Sequence, residues 1–152
     1  MSHGLHIELG RRYRFAASHR LHNAQLSEEE NRRIYGKCNN RYGHGHNYTV
    51  EVRFSGAVDP ATGMIANLAD LDAYVSERVI EPFDHRSLQD EVPVFREVVP
   101  TTENLCVEIY ERLKSFPRAK LEAVRIEETS NNSFEYAGKA KAEIIEEKGA
   151  AP

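Results

Sequence analysis

Residues 44–54 alternate between two kinds of side chain, and this period of two constrains the fold more than any other feature of the sequence. Successive side chains of a β-strand point to opposite faces of its sheet, so strict alternation predicts a half-buried strand. One face carries His44, His46, Tyr48, Val50, Val52 and Phe54. An earlier row of the same kind comprises Tyr13, Phe15, Ala17 and His19. The chain is therefore expected to build a sheet with one apolar face that also carries these histidines.

Two later segments predict helices. Asn67 and Asp70 provide an N-cap and a first-turn acid for the first helix, and Pro82 is expected to end it. Its predicted buried stripe is Leu68, Leu71, Val75 and Val79. The second helix is expected to begin near Thr101 or Thr102, with the acidic Glu103 at its positive N-terminal end. Its predicted buried stripe is Leu105, Ile109, Leu113 and Phe116.

The last third of the chain returns to strands. Val124, Ile126 and Glu128 form one row, and a turn at Asn131-Asn132 is expected to lead into a final strand. The polar residues 26–33 predict an exposed loop or a short helix. The order strand, strand, helix, helix, strand, strand predicts an α+β fold. We expect a largely antiparallel sheet with two helices packed on one face.

Length and charge exclude several classes of protein. The 152 residues predict a single domain over 1–152, with frayed ends near 1–8 and 146–152. A net charge of -4 without a basic stripe predicts no nucleic-acid partner, and the absence of an apolar run of ~18 residues predicts no membrane span. The N-terminal segment resembles neither a secretory signal nor an organellar presequence, so the cytosol is the expected location. Cys38 and Cys106 do not indicate a disulfide framework.

Three histidines are candidate metal ligands. His44 and His46 are two positions apart, so their Cβ atoms project from one face of the strand about 6.5–7 Å apart. His19 ends the other predicted strand on a face of the same kind. Three histidines without a fourth protein ligand are typical of an open, catalytic zinc site. A loose group of core or surface histidines is the alternative, because short motifs such as H-x-H also occur by chance.

Cys38 is a candidate general base. It lies in a Gly- and Asn-rich loop six positions before His44, where a nearby cation would lower its pKa and favour the thiolate. An unreactive thiol is the alternative interpretation, and it is also the expected one for Cys106 on its helix stripe.

Three further residues are candidates for acid, base or anchoring roles. Asp84 and His85 follow Pro82 in a predicted turn, where they can form an acid/base unit or simply a local helix cap. Glu128 lies in an apolar row, so its carboxylate needs a ligand, an arginine partner or a place at the sheet rim.

Six segments match one known family in order and spacing: RFAASHRL, GKCNNRYGHGHNY, DPATGMIANLADL, PFDHRSL, VPTTENL and EETSNN. Through them, nearly the whole chain apart from its ends resembles the 6-pyruvoyltetrahydropterin synthase family. The resemblance implies the tunnelling fold, or T-fold, whose sheets assemble into oligomeric barrels. It also implies a homohexamer of two stacked trimers, with active sites built across subunit interfaces.

The resemblance also implies roles for individual residues. It assigns a bound Zn²⁺ to His19, His44 and His46. It assigns the general base to Cys38, a proton relay to Asp84 and His85, and the anchor of the pterin ring to Glu128. Further candidate substrate contacts at a helix N-terminus are Thr101, Thr102 and Glu103.

The implied reaction is a lyase step of tetrahydrobiopterin biosynthesis on a small molecule. It converts 7,8-dihydroneopterin triphosphate to 6-pyruvoyltetrahydropterin with elimination of triphosphate. The 6-carboxytetrahydropterin synthases of the deazapurine and queuosine pathway are the alternative, although they typically have a shorter gap than the five residues between Cys38 and His44. A non-catalytic zinc-binding scaffold is a further alternative, against which the missing fourth ligand argues.

Overall fold

A computed structural model describes residues 4–139 of the protein. Its strands are β1 (His6–His19), β2 (His44–Ala57), β3 (Arg86–Ser87), β4 (Lys120–Thr129) and β5 (Asn132–Tyr136). Its helices are α1 (Glu28–Tyr35), α2 (Leu68–Val75), α3 (Glu81–Phe83), α4 (Leu88–Glu91) and α5 (Thr102–Leu113). The strands form one sheet in the order β3-β1-β2-β4-β5, antiparallel except for the β1–β3 pair. The predicted α+β fold is confirmed.

Strands β1 and β2 are the longest pair, and their register aligns the two predicted inward rows. Phe15 pairs with Tyr48, Ala17 with His46, and His19 with His44. The apolar part of this face is buried against the helices. It contributes Phe15, Ala17, Tyr48, Val50, Val52 and Phe54 to the hydrophobic core. The histidines therefore lie at one end of a continuous buried surface.

Helices α2 and α5 begin at the predicted caps. The Asn67 side chain accepts a hydrogen bond from the amide of Ala69 at 2.8 Å, and the Thr101 hydroxyl accepts one from the amide of Asn104 at 3.2 Å. The predicted stripe of the second helix is buried at all its positions, Leu105, Ile109, Leu113 and Phe116, although Phe116 lies beyond the end of α5. In α2 the prediction for Leu68 is wrong, because this first helical residue lies outside the core and remains 39% exposed.

The predicted end of the first helix at Pro82 is also wrong. A π-helical turn, Ser76–Ile80, follows α2 and leads into α3, where Pro82 occupies the first turn. The amide that proline lacks is not needed at this position, so helical structure continues to Phe83. None of the helices within residues 4–139 combines the length and the apolar character that crossing a membrane requires.

Three other local predictions need correction or completion. Residues 26–33 include most of α1, which begins with a capping box formed by Ser27 and Glu30. The last turn is at residues 130–131, one residue before the predicted Asn131-Asn132. The N-terminal end is paired from His6 onward, opposite Ala57, and is not frayed through residue 8. The predicted frayed segment 146–152 lies outside the described residues.

Candidate metal centre and active site

The ends of β1 and β2 bring three histidine rings together. The ring centroids of His19 and His44 lie 4.9 Å apart, those of His19 and His46 5.0 Å, and those of His44 and His46 4.8 Å. One ring nitrogen from each residue lies within 4.8 Å of the other two. Because His19 faces His44 directly across the ladder, the predicted alternation alone accounts for this convergence. The three side chains can hold a metal ion.

His19 is fixed in orientation by the loop before α5. The ring is fully buried, and its Nδ1 lies 2.8 Å from the carbonyl oxygen of Pro100. A carbonyl only accepts, so Nδ1 carries the proton and donates, which leaves the Nε2 lone pair facing the other histidines. Burial lowers the pKa of His19, which favours the neutral ring that metal binding needs.

The geometry of the ring nitrogens fits a bound cation. The Nε2 atoms of His19 and His44 lie 3.1 Å apart, close to the about 3.3 Å expected for two nitrogens bound tetrahedrally at ~2.0–2.1 Å. The Nε2 atom of His46 is buried and has no hydrogen-bond partner among the described residues. Burial also lowers the pKa of His46. A buried nitrogen with no donor or acceptor is best satisfied by an ion at the centre of the cluster.

Glu128 borders the histidine cluster and lies at a β-bulge. The β4–β5 register shifts between Glu127 and Thr129, so Glu128 is the unpaired residue and its side chain is only 16% exposed. Its Oε1 lies 3.5 Å from Nε2 of His46 and 3.9 Å from Nε2 of His19. Its Oε2 accepts a hydrogen bond from Nδ2 of Asn132 at 3.0 Å. Glu128 shares the face of Val124 and Ile126, so this row gives the cluster a carboxylate at a bulge, a feature that is common next to functional sites.

Cys38 lies in the 3₁₀ turn Gly36–Asn39, directly after α1. Its carbonyl accepts a hydrogen bond from the amide of Leu21 at 2.8 Å, which ties the turn to the segment that follows His19. Burial raises the pKa of the Cys38 thiol, and the negative charge of Glu128 raises it further. In Cys106, burial raises the thiol pKa to about 12, and its Sγ donates to the carbonyl of Val124 at 3.2 Å.

Asp84, which is half-buried, and the exposed His85 form a separate pair tied to β1. The Asp84 carboxylate accepts from the amide of Ala16 at 2.9 Å, and the amide of His85 donates to the Ala16 carbonyl at 2.6 Å. The His85 side chain is 83% exposed and its backbone φ is 57°, an unusual conformation for a residue other than glycine. His85 and His46 both line a cavity of about 390 Å³. The pair thus lies near the histidine cluster and outside it.

The N-terminus of α5 contributes residues of different character. Thr101 caps the helix, whereas Thr102 is 3% exposed and its hydroxyl oxygen has no hydrogen-bond partner among residues 4–139. Glu103 is exposed.

Sequence reasoning missed the Pro100 carbonyl as the partner of His19, and it missed Tyr48, whose hydroxyl lies 3.4 Å from Nδ1 of His19. The position of Tyr48 in the row of His44 and His46 was the available signal.

Comparisons with known proteins agree with this architecture. The family model described as 6-pyruvoyl tetrahydropterin synthase matches residues 8–139. The human 6-pyruvoyl tetrahydrobiopterin synthase is 50% identical over 132 residues, which cover 86% of this chain and 91% of the human protein. The protein of the same name from Poecilia reticulata is 50% identical over 125 residues, covering 82% and 85%. The structure of Caenorhabditis elegans 6-pyruvoyl tetrahydropterin synthase superposes with a TM-score of 0.86 at 42% identity, covering 91% of this chain and 99% of that one.

The fold and the histidine cluster define an α+β protein with a candidate metal site at the end of its central strand pair. The residues matched by the family model and the architecture shared with the solved structure identify the family within this class. The chain belongs to the 6-pyruvoyl tetrahydropterin synthase family, which is a family of enzymes.

Proposed function

We propose that this chain is a zinc-dependent 6-pyruvoyltetrahydropterin synthase of tetrahydrobiopterin biosynthesis. Its substrate is 7,8-dihydroneopterin triphosphate, and its reaction is a carbon–oxygen lyase step that eliminates triphosphate. The observation that carries the proposal is a cluster of three converging histidines, one of them fully buried, beside a carboxylate in a chain of this family. Within residues 4–139 the cluster offers three ligands and leaves a position open, as catalytic zinc sites do.

His19, His44 and His46 would hold the ion. When bound, Zn²⁺ supplies a positive charge that acidifies C–H bonds beside the substrate's side-chain hydroxyls and favours a neighbouring thiolate. The Pro100 carbonyl holds His19 in the tautomer that presents Nε2, so the loop before α5 orients the ligand set.

Glu128 anchors the pterin ring in this proposal. Its two carboxylate oxygens can accept from the amino and ring N–H donors of a pterin, which is a paired contact that fixes the ring's register. Oε1 of Glu128 lies 3.5 Å from Nε2 of His46, so a ring bound there extends its side chain towards the cluster. Thr102 is a further candidate contact, because its hydroxyl is buried at the N-terminus of the helix that follows the Pro100 carbonyl. Thr101 and Glu103 are further candidate contacts at this helix end.

Cys38 acts as the general base, and Asp84 with His85 acts as the proton relay. The raised pKa keeps Cys38 protonated in the ion-free chain, so the thiolate depends on positive charge nearby. Cys38 removes a proton from the substrate side chain and His85 delivers one, while Asp84 stabilises the charged imidazole. The exposure of His85 supports a relay that serves a site completed by another subunit.

We further propose that the chain assembles into a homohexamer of two stacked trimers. Within residues 4–139 the sheet has two free edges: β5, and the part of β1 that β3 does not cover, since β3 pairs with only Ala17 and Ser18 of the 14 residues of β1. Exposed backbone on an edge strand is a ready site for pairing with another copy. Sedimentation velocity of the purified protein tests the assembly, and a monomeric species at all concentrations would contradict it.

One incubation tests the reaction. Purified protein is mixed with 7,8-dihydroneopterin triphosphate, with and without a chelator, and the products are identified by mass. We expect 6-pyruvoyltetrahydropterin and inorganic triphosphate, with no turnover under chelator. A 6-carboxy product would replace the proposal with the deazapurine pathway activity. Absence of any product from the zinc-loaded protein would favour the non-catalytic scaffold.

A further inference from the structure

A second cavity is lined in part by the residues on either side of Cys38 in the chain. It has a volume of about 550 Å³, within the ~300–1,000 Å³ range of small-molecule sites. Its lining comes from the end of β1, from α1, from the 3₁₀ turn and from the residues just after that turn. The charged side chains that line it are Arg20, Glu28, Arg32, Lys37 and Arg41.

The four positively charged residues that line this cavity are Arg20, Arg32, Lys37 and Arg41. None of them forms a salt bridge within residues 4–139, whereas six other arginines of the same region do: Arg11, Arg12, Arg53, Arg86, Arg112 and Arg125. Four positive charges and the single carboxylate of Glu28 give the cavity a formal charge of plus three. The whole chain has a net charge of -4, so the cavity is a local reversal of sign. Such a concentration of one sign attracts and holds an anion.

Arg20 is already oriented for this role. Its Nε donates to the carbonyl of Asn39 at 3.2 Å, and its backbone amide donates to Oε1 of Gln89 at 3.0 Å. The contact at Nε fixes the plane of the guanidinium and leaves the two terminal nitrogens available for an anion. A planar fork of this kind matches the oxygen spacing of a phosphate group.

Two of the residues that line the cavity are direct sequence neighbours of candidate active-site residues. Arg20 directly follows the candidate ligand His19, and Lys37 directly precedes the candidate base Cys38. We propose that this cavity is a polyphosphate subsite that holds the triphosphate tail of the substrate and releases it as the leaving group. The proposal rests on the proposed function for the identity of the ligand. Several cations are needed because a triphosphate carries several negative charges close together.

Direct binding of inorganic triphosphate to the purified, zinc-loaded protein tests the subsite without requiring turnover. Arg32→Ala and Arg41→Ala remove exposed cations that no hydrogen bond or ion pair ties to the fold in residues 4–139. We expect each variant to weaken triphosphate binding, measured by titration calorimetry, by about tenfold, as expected for loss of a charge-assisted hydrogen bond.

Arg33→Ala is the matched control. Arg33 is the exposed neighbour of Arg32 on α1 and does not line the cavity. We expect it to keep the wild-type affinity for triphosphate. Equal affinities of the Arg32, Arg41 and Arg33 variants would overturn the subsite, as would a wild-type protein that does not bind triphosphate.

Turnover of 7,8-dihydroneopterin triphosphate separates this proposal from the proposed function. We expect Arg41→Ala to raise KM with little change in kcat, because the side chain holds the tail and moves no proton. Wild-type protein that forms no product but binds triphosphate with the expected variant pattern would refute the reaction and retain the subsite. Normal turnover with unchanged triphosphate binding in Arg32→Ala and Arg41→Ala would refute the subsite and retain the reaction.

Discussion

The inward row of β1 carries a polar cluster at each end, and the two clusters differ in how their polar atoms are satisfied. At one end, Arg11 donates to both carboxylate oxygens of Asp72 at 2.6 and 2.7 Å, and the Tyr13 hydroxyl donates to Asp72 at 2.8 Å. At the other end, Nε2 of His46 has no hydrogen-bond partner in residues 4–139, and Oε1 of Glu128 approaches it only to 3.5 Å.

The difference separates a structural cluster from a binding site. Asp72 lies on α2, so the first cluster links the helix layer to the sheet with its polar atoms paired inside the chain. The second cluster leaves the buried Nε2 atom of His46 without a hydrogen-bond partner in the described part of the chain. Since unsatisfied buried groups are rare in folded proteins, such a group at a strand end indicates a place for a ligand.

Replacing a candidate metal ligand should have the largest effect. We expect His46→Ala to lose bound zinc and to lower kcat/KM to the level of the metal-depleted protein, because two histidines hold the ion far less tightly than three. Metal content by mass spectrometry and initial rates measure this. His6→Ala, at the exposed start of β1, is the control. Wild-type metal content and activity in His46→Ala would show that the histidine cluster is not a metal site and, like the Asp72 cluster, has only a structural role.

Replacing the candidate base should affect the rate and spare the metal. We expect Cys38→Ala to keep its zinc and its fold but to lower kcat by ~10²–10⁴-fold, the usual contribution of a positioned base. Cys106→Ala should keep its activity, because that thiol is buried in the core and donates to the Val124 carbonyl. An equal loss of kcat in the two variants would show that both thiols act through packing.

Glu128→Gln should have a smaller effect, confined to the substrate. The amide keeps the size and one acceptor oxygen but puts a donor against the pterin donors, so we expect kcat/KM to fall at least about tenfold. Thermal stability should be unchanged or raised, since a largely buried charge is removed. Glu127→Gln is the control, because that side chain is 50% exposed on the opposite face. A low kcat/KM in Glu127→Gln together with a normal kcat/KM in Glu128→Gln would contradict the assignment of Glu128 as the pterin anchor.

Replacing Asp72 should lower the free energy of unfolding in a pH-dependent way and leave the activity unchanged. The hydrogen bond from Arg11 lowers the pKa of Asp72, so the stabilisation is complete above the usual carboxyl value of about 3.9 and is lost as pH falls through the lowered pKa. We expect Asp72→Asn to unfold in less urea than wild type at pH 7, with unchanged kcat/KM. The difference should shrink below about pH 4. A difference independent of pH, or a loss of activity, would contradict the structural role of this cluster.

The sequence predicted the elements that depend on regular patterns. The period of two in β1 and β2 placed His19, His44 and His46 on one face, and the caps at Asn67 and Thr101 located two helices. These features depend on local geometry and on burial of one face, both of which repeat along the chain. Alternation also put Glu128 in the inward row.

Features that depend on tertiary contacts were not predictable. Strand β3 has two residues and exists only because it pairs with β1. The bulge at Glu128 depends on the β4–β5 register, and the contact between His19 and the Pro100 carbonyl joins residues 81 positions apart. Helix continuation past Pro82 depends on the π-helical turn before it. None of these leaves a periodic signal in the sequence.

Zinc titration of the metal-depleted protein tests the central claim most directly. Activity on 7,8-dihydroneopterin triphosphate is followed while zinc is added to protein that has been dialysed against a chelator. We expect no activity at the start, a linear rise, and a plateau at one zinc ion per chain, with no recovery in His46→Ala. Full activity before zinc is added would contradict the assignment of the unsatisfied histidine cluster as a catalytic metal site.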